Sequence, residues 1–256
     1  NPTHGMNAGR GVALITGASR GIGAATARLA AERGLAVVVN FASDERGANQ
    51  VAADCASLGA PTLTVRADVS DEAAVVAMFD QVENELGAVT LLVNNAGILH
   101  QQMDVADMDR DRWVQVFDVN VIGSFLCARE AVRRMSTNRG GNGGAIVNVS
   151  SAASYIGSPG EYVDYAASKA AIDTLTIGLG KEVADEGIRV NAVRPGVIHT
   201  GIHASGGEPG RVDRVAPGVP MRRGGDPDEV ARTILWLGSD EASYITGALL
   251  NCSGGR

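Results

Sequence analysis

Tyr165 and Lys169 lie four residues apart inside a stretch, 163–186, whose patterning predicts a helix. That spacing places both side chains on one face, one turn apart. A free tyrosine ionises near pH 10, too high for a good base at neutrality. A neighbouring ammonium stabilises the phenolate and lowers that value, making tyrosine a usable acid–base catalyst. Lysine is scarce here: only Lys169 and Lys181 occur, beside four tyrosines, so about 0.03 Tyr-x-x-x-Lys matches are expected by chance. A surface tyrosine with an incidental lysine is therefore the weaker reading. Ser151, after the run Val147-Asn148-Val149-Ser150, offers a hydroxyl at the carboxyl end of an expected strand, where a substrate oxygen could be held. Ser150 competes for that role, because neighbouring strand residues point opposite ways.

A second constellation precedes this pair. Thr16-Gly17-Ala18-Ser19-Arg20-Gly21-Ile22-Gly23 joins the first expected strand to the first helix. Glycines let the backbone turn sharply and approach a pyrophosphate, and a helix start offers free N–H groups and the positive end of its dipole. The spacing is GxxxGxG rather than GxGxxG, so its weight comes from its place between strand and helix. The second strand ends Asn40-Phe41-Ala42-Ser43, without the acid that holds ribose hydroxyls in NAD-preferring sites. Arg20 is placed to pair with a 2′-phosphate, Ser43 to add a hydroxyl, and Asn40 suits either ribose. The expected cofactor is NADP(H) in preference to NAD(H).

Both constellations need a scaffold. Expected strands at 12–15, 36–40, 62–66, 89–93, 145–150, 189–193 and 248–251 alternate with helical patterns near 21–33, 44–58, 71–86, 109–135, 163–186 and 227–237. That alternation predicts an α/β fold, a Rossmann-like doubly wound parallel sheet of about seven strands with helices on both faces. Apolar runs such as Ala36-Val37-Val38-Val39 suit strands buried on both sides. One domain is expected over 11–256, after a polar, tag-like segment at 1–10. The glycine- and proline-rich stretch 200–225 is too long for a plain connector and is expected to cover the substrate.

Composition narrows the functions. Of 256 residues, 45% are hydrophobic and 20% charged, as in a folded soluble protein. A net charge of −7 disfavours broad nucleic-acid or anionic-membrane binding, both of which want a basic face. Cys55, Cys127 and Cys252 are odd in number and widely spaced, which argues against a disulfide framework or a metal site and for a reducing, cytoplasmic setting.

Taken in order, Thr16–Gly23, Asp68-Val69, Asn94–Gly97, Asn120, Ser151, Tyr165…Lys169 and Pro195-Gly196…Thr200 resemble the short-chain dehydrogenase/reductase family in its single-domain form, over nearly the whole chain. The resemblance implies an NAD(P)(H)-dependent oxidoreductase that interconverts a carbonyl and a secondary alcohol, of sugar-dehydrogenase or 3-oxoacyl-carrier-protein-reductase type. It implies that Gly17, Ser19, Arg20, Gly21 and Ile22 take the phosphates, and that Asp68 and Val69 touch the adenine. Asn94, Ala96 and Gly97 would line the adenosine ribose and brace the sheet. Asn120 would hold a water linking Lys169 to solvent. Lys169 would also bond the nicotinamide ribose, and Pro195, Gly196, Ile198 and Thr200 would surround the nicotinamide. It further implies a homotetramer. One residue more than the family spacing separates Ser151 from Tyr165, which leaves Ser150 and Ser151 both open. For an acidic carrier protein, Arg129, Arg133 and Arg134 are the candidate docking face. The alternative in another class is a catalytically silent NADP(H)-sensing or scaffold protein on the same fold.

Overall fold

The computed structural model describes residues 11–256; the expected tag-like segment 1–10 lies outside them. Seven strands form one sheet: β1 (Val12–Ile15), β2 (Ala36–Phe41), β3 (Thr62–Arg66), β4 (Val89–Asn94), β5 (Gly144–Val149), β6 (Ile188–Pro195) and β7 (Leu249–Cys252). Their spatial order is β3-β2-β1-β4-β5-β6-β7, and every pairing is parallel. The order reverses between β1 and β4, which opens a crevice at their carboxyl ends.

The strands are apolar throughout because both faces are covered. Ala13 and Ile15 of β1 join one core, whereas Val12 and Leu14 join the other. This alternation follows from the period of two along a strand. On the first face lie α1 (Gly21–Glu32), α2 (Glu45–Ser57) and α10 (Pro227–Leu237). The alanines of α1 (Ala24, Ala27, Ala30 and Ala31) are buried and let it pack closely on α10. The second face carries α3 (Glu72–Glu85), α5 (Gly123–Met135) and α7 (Val163–Glu182).

Helix starts separate structural ends from the ligand end. Asp44, Asp71 and Asp109 accept backbone N–H groups at the starts of α2, α3 and α4 (Arg110–Phe117). Such caps contribute about 1 kcal/mol each. At the start of α1, no side chain caps the first turn.

The helix expected over 109–135 is two helices, α4 and α5, joined by a π-helical turn at Asp118–Ile122. The stretch 200–225 is not a bare loop. It folds into α8 (Ile202–Ser205), α9 (Arg211–Val215) and a short 3-10 turn at Ala216–Gly218. A four-residue helix, α6 (Ala153–Ile156), follows β5.

Candidate active site

A cleft of about 430 Å³ runs along the carboxyl ends of the strands, from the glycine turn to the start of α7. Gly17, Ser19, Arg20, Gly21 and Ile22 form one end, beside Asn40 and Ser43. Asp68, Val69, Ala96 and Gly97 follow along its floor. Ser151, Tyr165 and Lys169 line it too, as do Pro195, Gly196, Ile198 and Thr200; Thr200 lies beside Gly21 of the turn.

The glycine turn is locked by its neighbours. Gly17 has a φ of 59°, and a Cβ there would lie 2.8 Å from the Cα of Ala96, so no larger residue fits. Asn95 Nδ2 donates to the carbonyls of Thr16 and Gly17, both at 3.0 Å. Asn40 was expected to be free for a ribose. Instead its amide is spent on the fold: Oδ1 accepts the Gly17 N–H at 3.2 Å, and Nδ2 donates to the carbonyls of Val65 and Ala67. The residue is buried, so those bonds are what make its polar group tolerable there. Arg20 is exposed at the mouth, with Phe41, Ala42 and Ser43 across from the turn. Asp44 is close in sequence, but its carboxylate is engaged in capping α2.

Asn94 departs from the expectation. It lies outside the cleft lining; Nδ2 donates to Asn148 Oδ1 at 3.0 Å and to the Ser124 carbonyl. Asn148 in turn donates to Thr176 Oγ1 at 2.9 Å. This buried ladder ties β4, β5 and α7 together, so Asn94 keeps the bracing half of its expected role, and Asn95 lines the cleft in its place.

At the reacting end the two serines differ. Ser150 Oγ turns inward and donates to the Lys169 carbonyl at 3.1 Å, whereas Ser151 Oγ accepts the Ala153 N–H at 3.1 Å and acts on the Tyr165 phenol closely enough to pull its pKa down. Between Ser151 and Tyr165, in the turn after α6, Gly157, Ser158 and Gly160 all adopt positive φ. Lys169 Nζ donates to the Val149 carbonyl at 2.9 Å and lies 5.6 Å from the centre of the Tyr165 ring. The expected lowering of the tyrosine pKa by this ammonium does not hold. Burial of the phenol deep in the cleft pushes Tyr165 up to about 12, with the Ser151 bond pulling the other way. Burial brings Lys169 down to about 8, opposed by the charge of Asp173. Desolvation is thus the largest cause for both groups, and it favours the neutral form of each.

Asn120 is completely buried in the π-helical turn. Its Oδ1 accepts the Ile98 N–H at 2.8 Å, and Nδ2 donates to the Ile98 carbonyl and to Ser168 Oγ. A Cβ on Gly97 would lie 3.4 Å from both Asn120 Oδ1 and Lys169 Nζ, so the three residues meet at one point of the cleft. Ser168, which donates to the Tyr165 carbonyl at 2.7 Å, was not foreseen; a serine inside Tyr-x-x-Ser-Lys carries no signal of its own.

The start of α7 is held from behind. Arg112 Nε bonds Asp164 Oδ2 at 2.7 Å, with both side chains buried, and Asp164 Oδ1 accepts the Tyr165 N–H at 2.9 Å. Neither member was singled out in the sequence. Acids near the cleft are paired: Glu161 and Glu208 meet Arg211 and Arg214. The arginines considered for a docking face are also paired. Arg129 meets Glu72 and Glu130, Arg133 meets Glu130, and Arg134 meets Asp80, Glu83 and Glu130. That face is charge-balanced rather than basic.

An elongated cleft with an uncapped helix start at one end and a hydroxyl–phenol–ammonium group at the other has the form of a dinucleotide-dependent redox site. A family model described as "Enoyl-(Acyl carrier protein) reductase" matches residues 17–256. The chain is 56% identical over 245 residues to an uncharacterized oxidoreductase, YgfF, of Escherichia coli (strain K12), covering 96% of this chain and 99% of that protein. It is 42% identical over 245 residues to a cis-4-hydroxycyclohexanecarboxylate dehydrogenase of Sinomonas cyclohexanicum, covering 95% of each. Among solved structures, a short-chain type dehydrogenase/reductase from Mycobacterium marinum matches with a TM-score of 0.89 and 36% identity, over 96% of this chain and 94% of that one. The chain belongs to the short-chain dehydrogenase/reductase family. It is an oxidoreductase that interconverts carbonyl and alcohol groups with a nicotinamide dinucleotide. Among the described residues no helix is long and apolar enough to cross a membrane, and no cluster of side chains suits a metal ion.

Proposed function

We propose that this enzyme reduces a small ketone, or oxidises the matching secondary alcohol, with Tyr165 as the acid–base group and NADP(H) preferred over NAD(H). The observation that carries this reading is that Ser151, Tyr165 and Lys169 line the same cleft as the glycine turn.

The residues fit a dinucleotide. The first turn of α1 is uncapped, Gly17 excludes any side chain, and the cleft continues unbroken to the phenol. The dinucleotide supplies or accepts the hydride. In reduction, the Ser151 hydroxyl and the Tyr165 phenol donate hydrogen bonds to the carbonyl oxygen, and Tyr165 gives up its proton as the alkoxide forms. At neutrality the phenol carries its proton, the form that reduction requires. The Lys169 ammonium steadies the phenolate that remains, from a position fixed by the Val149 carbonyl. Asn120 acts at one remove: it pins the Ile98 backbone and the hydroxyl of Ser168, the residue before Lys169. Oxidation runs these steps in reverse. A sensor or scaffold would have no use for Ser151, Tyr165 and Lys169 gathered in one cleft.

The cofactor preference rests on Arg20. It is exposed at the cleft mouth, the end of β2 offers no acid before Asp44, and Asp44 is engaged. Replacing Arg20→Gln is expected to weaken NADPH binding by about tenfold or more and leave NADH nearly unchanged. Fluorescence titration of both cofactors decides; equal effects on the two would remove the preference.

We extend the same reading to assembly and setting. The exposed apolar side chains Trp113, Phe117, Ile122 and Phe125, on and between α4 and α5, fit a homotetramer, which light scattering after size exclusion would test. Cys55, Cys127 and Cys252 are all free, which fits a cytoplasmic setting, to be checked by cell fractionation.

A further inference from the structure

We propose that Ser158 is a specificity-determining residue of the cleft: its hydroxyl takes a second oxygen of the substrate, so the enzyme prefers a ketone that also carries a hydroxyl or a further carbonyl. The proposal deepens, and rests on, the assignment of Tyr165 as the reacting end.

Ser158 lies in the turn between α6 and α7 and lines the same cleft as Ser151 and Tyr165. It is 7% exposed. Among the described residues its hydroxyl has no hydrogen-bond partner. Nor is that oxygen sealed away: Ser154 Oγ is an unpartnered atom with no open surface, and Ser158 Oγ is not. A serine set this deeply ordinarily bonds a nearby backbone group. The one here keeps a donor and an acceptor unused at the wall of the cleft.

The backbone makes the choice of serine costlier. Ser158 has a φ of 47°, in the left-handed region, where a Cβ crowds the main chain. The other described non-glycine residue with positive φ, Arg222, is exposed. Gly157 and Gly160, on either side, adopt the same region as glycines. A glycine at 158 would meet the turn's geometry without strain. The side chain is thus kept against two local costs, strain and an unpaired hydroxyl, and no contact within the chain offsets either. Strain of this kind gathers at ligand sites.

The residue is also tied to the element that carries the phenol. The Ser158 carbonyl accepts the N–H groups of Glu161 at 3.2 Å and Tyr162 at 3.1 Å. Tyr162 immediately precedes α7 and packs edge-on against Tyr165. The turn is therefore fixed against the start of the helix that holds the reacting group. A hydroxyl donates one hydrogen bond, accepts others and carries no charge. It suits a neutral oxygen rather than a carboxylate or phosphate, which draw cations. Arg211 also lines the cleft, but it is paired with Glu161. The substrate class is an oxygenated ketone: a hydroxyketone or diketone in reduction, a diol or hydroxyketone in oxidation.

The test compares cyclohexanone with 2-, 3- and 4-hydroxycyclohexanone, each reduced by the intact enzyme with NADPH and with NADH. At least one hydroxyketone is expected to exceed cyclohexanone in kcat/KM by about tenfold or more. In S158A, which removes the hydroxyl and keeps the Cβ, that ratio should fall to about one. S158G should lose it too, and should melt about 2 °C or more above wild type, because glycine relieves the left-handed backbone. Circular dichroism shows whether each variant is folded; should S158A not fold, S158G decides. A ratio near one for every hydroxyketone in wild type, or a ratio that survives in either folded variant, overturns the proposal. A variant that slows every ketone by one factor leaves the ratio unchanged and overturns it as well. Lower melting of S158G would also overturn it, since the serine would then be what the turn itself requires. No turnover of any ketone counts against the assignment of the reacting end, and the proposal falls with it; turnover without preference counts against Ser158 alone.

Discussion

Removing the Lys169 charge should change how stability depends on pH. The side chain is 4% exposed, and burial brings its pKa to about 8 from an ordinary 10.5. Between those two values the unfolded chain binds the proton and the folded chain has released it, so stability must rise with pH across that window. Each pKa unit is worth about 1.36 kcal/mol, so the full rise is about 3 kcal/mol. For a chain of this size that corresponds to about 5–10 °C in melting temperature. Tyr165 acts in the opposite sense: its folded pKa is raised to about 12, so its contribution is lost as pH climbs from about 10 to 12. The two windows meet near pH 10, where the measurement should stop. Melting of wild type and K169M is followed by circular dichroism from pH 7 to 10 at constant ionic strength. The difference between the two curves isolates Lys169 from every other titrating group. Wild type should gain on K169M steadily above pH 8. A flat difference, or one of opposite sign, would refute the claim that this lysine is desolvated and held near its titration point.

Two further predictions concern what positions the phenol and what touches the substrate. D164N strands the buried Arg112 charge and should cost about 3–5 kcal/mol in urea denaturation; a loss below about 1 kcal/mol would mean the pair does not fix the start of α7. S151A should lower kcat for ketone reduction about a hundredfold or more with an unchanged circular dichroism spectrum, and S150A should lower it far less; the reverse order would reassign the serine.

Much of this was legible in the residues. Strand–helix alternation and doubly apolar runs define the parallel sheet, and chemistry then follows from where the sheet's carboxyl ends lie. What stayed hidden depends on partners distant in sequence. Asn40 reads as a cofactor contact until its amide is seen bonded to Gly17, Val65 and Ala67. Asn94 and Asn95 are identical in type, and only the turn decides which one faces the cleft. The π-helical turn leaves no mark, because one extra residue in a turn barely disturbs a helical apolar pattern. Spacing reports the ammonium near Tyr165 but not the depth of burial that raises its pKa. Arg211 and Glu161 are fifty residues apart and meet only when the covering segment folds.

The most direct test of the account is Y165F. Removing one phenolic oxygen leaves the ring, the glycine turn and Lys169 in place. NADPH oxidation with a reducible ketone should fall by about a thousandfold or more, while NADPH affinity stays within about threefold of wild type. Turnover within a few-fold of wild type would contradict the assignment of Tyr165 as the proton donor.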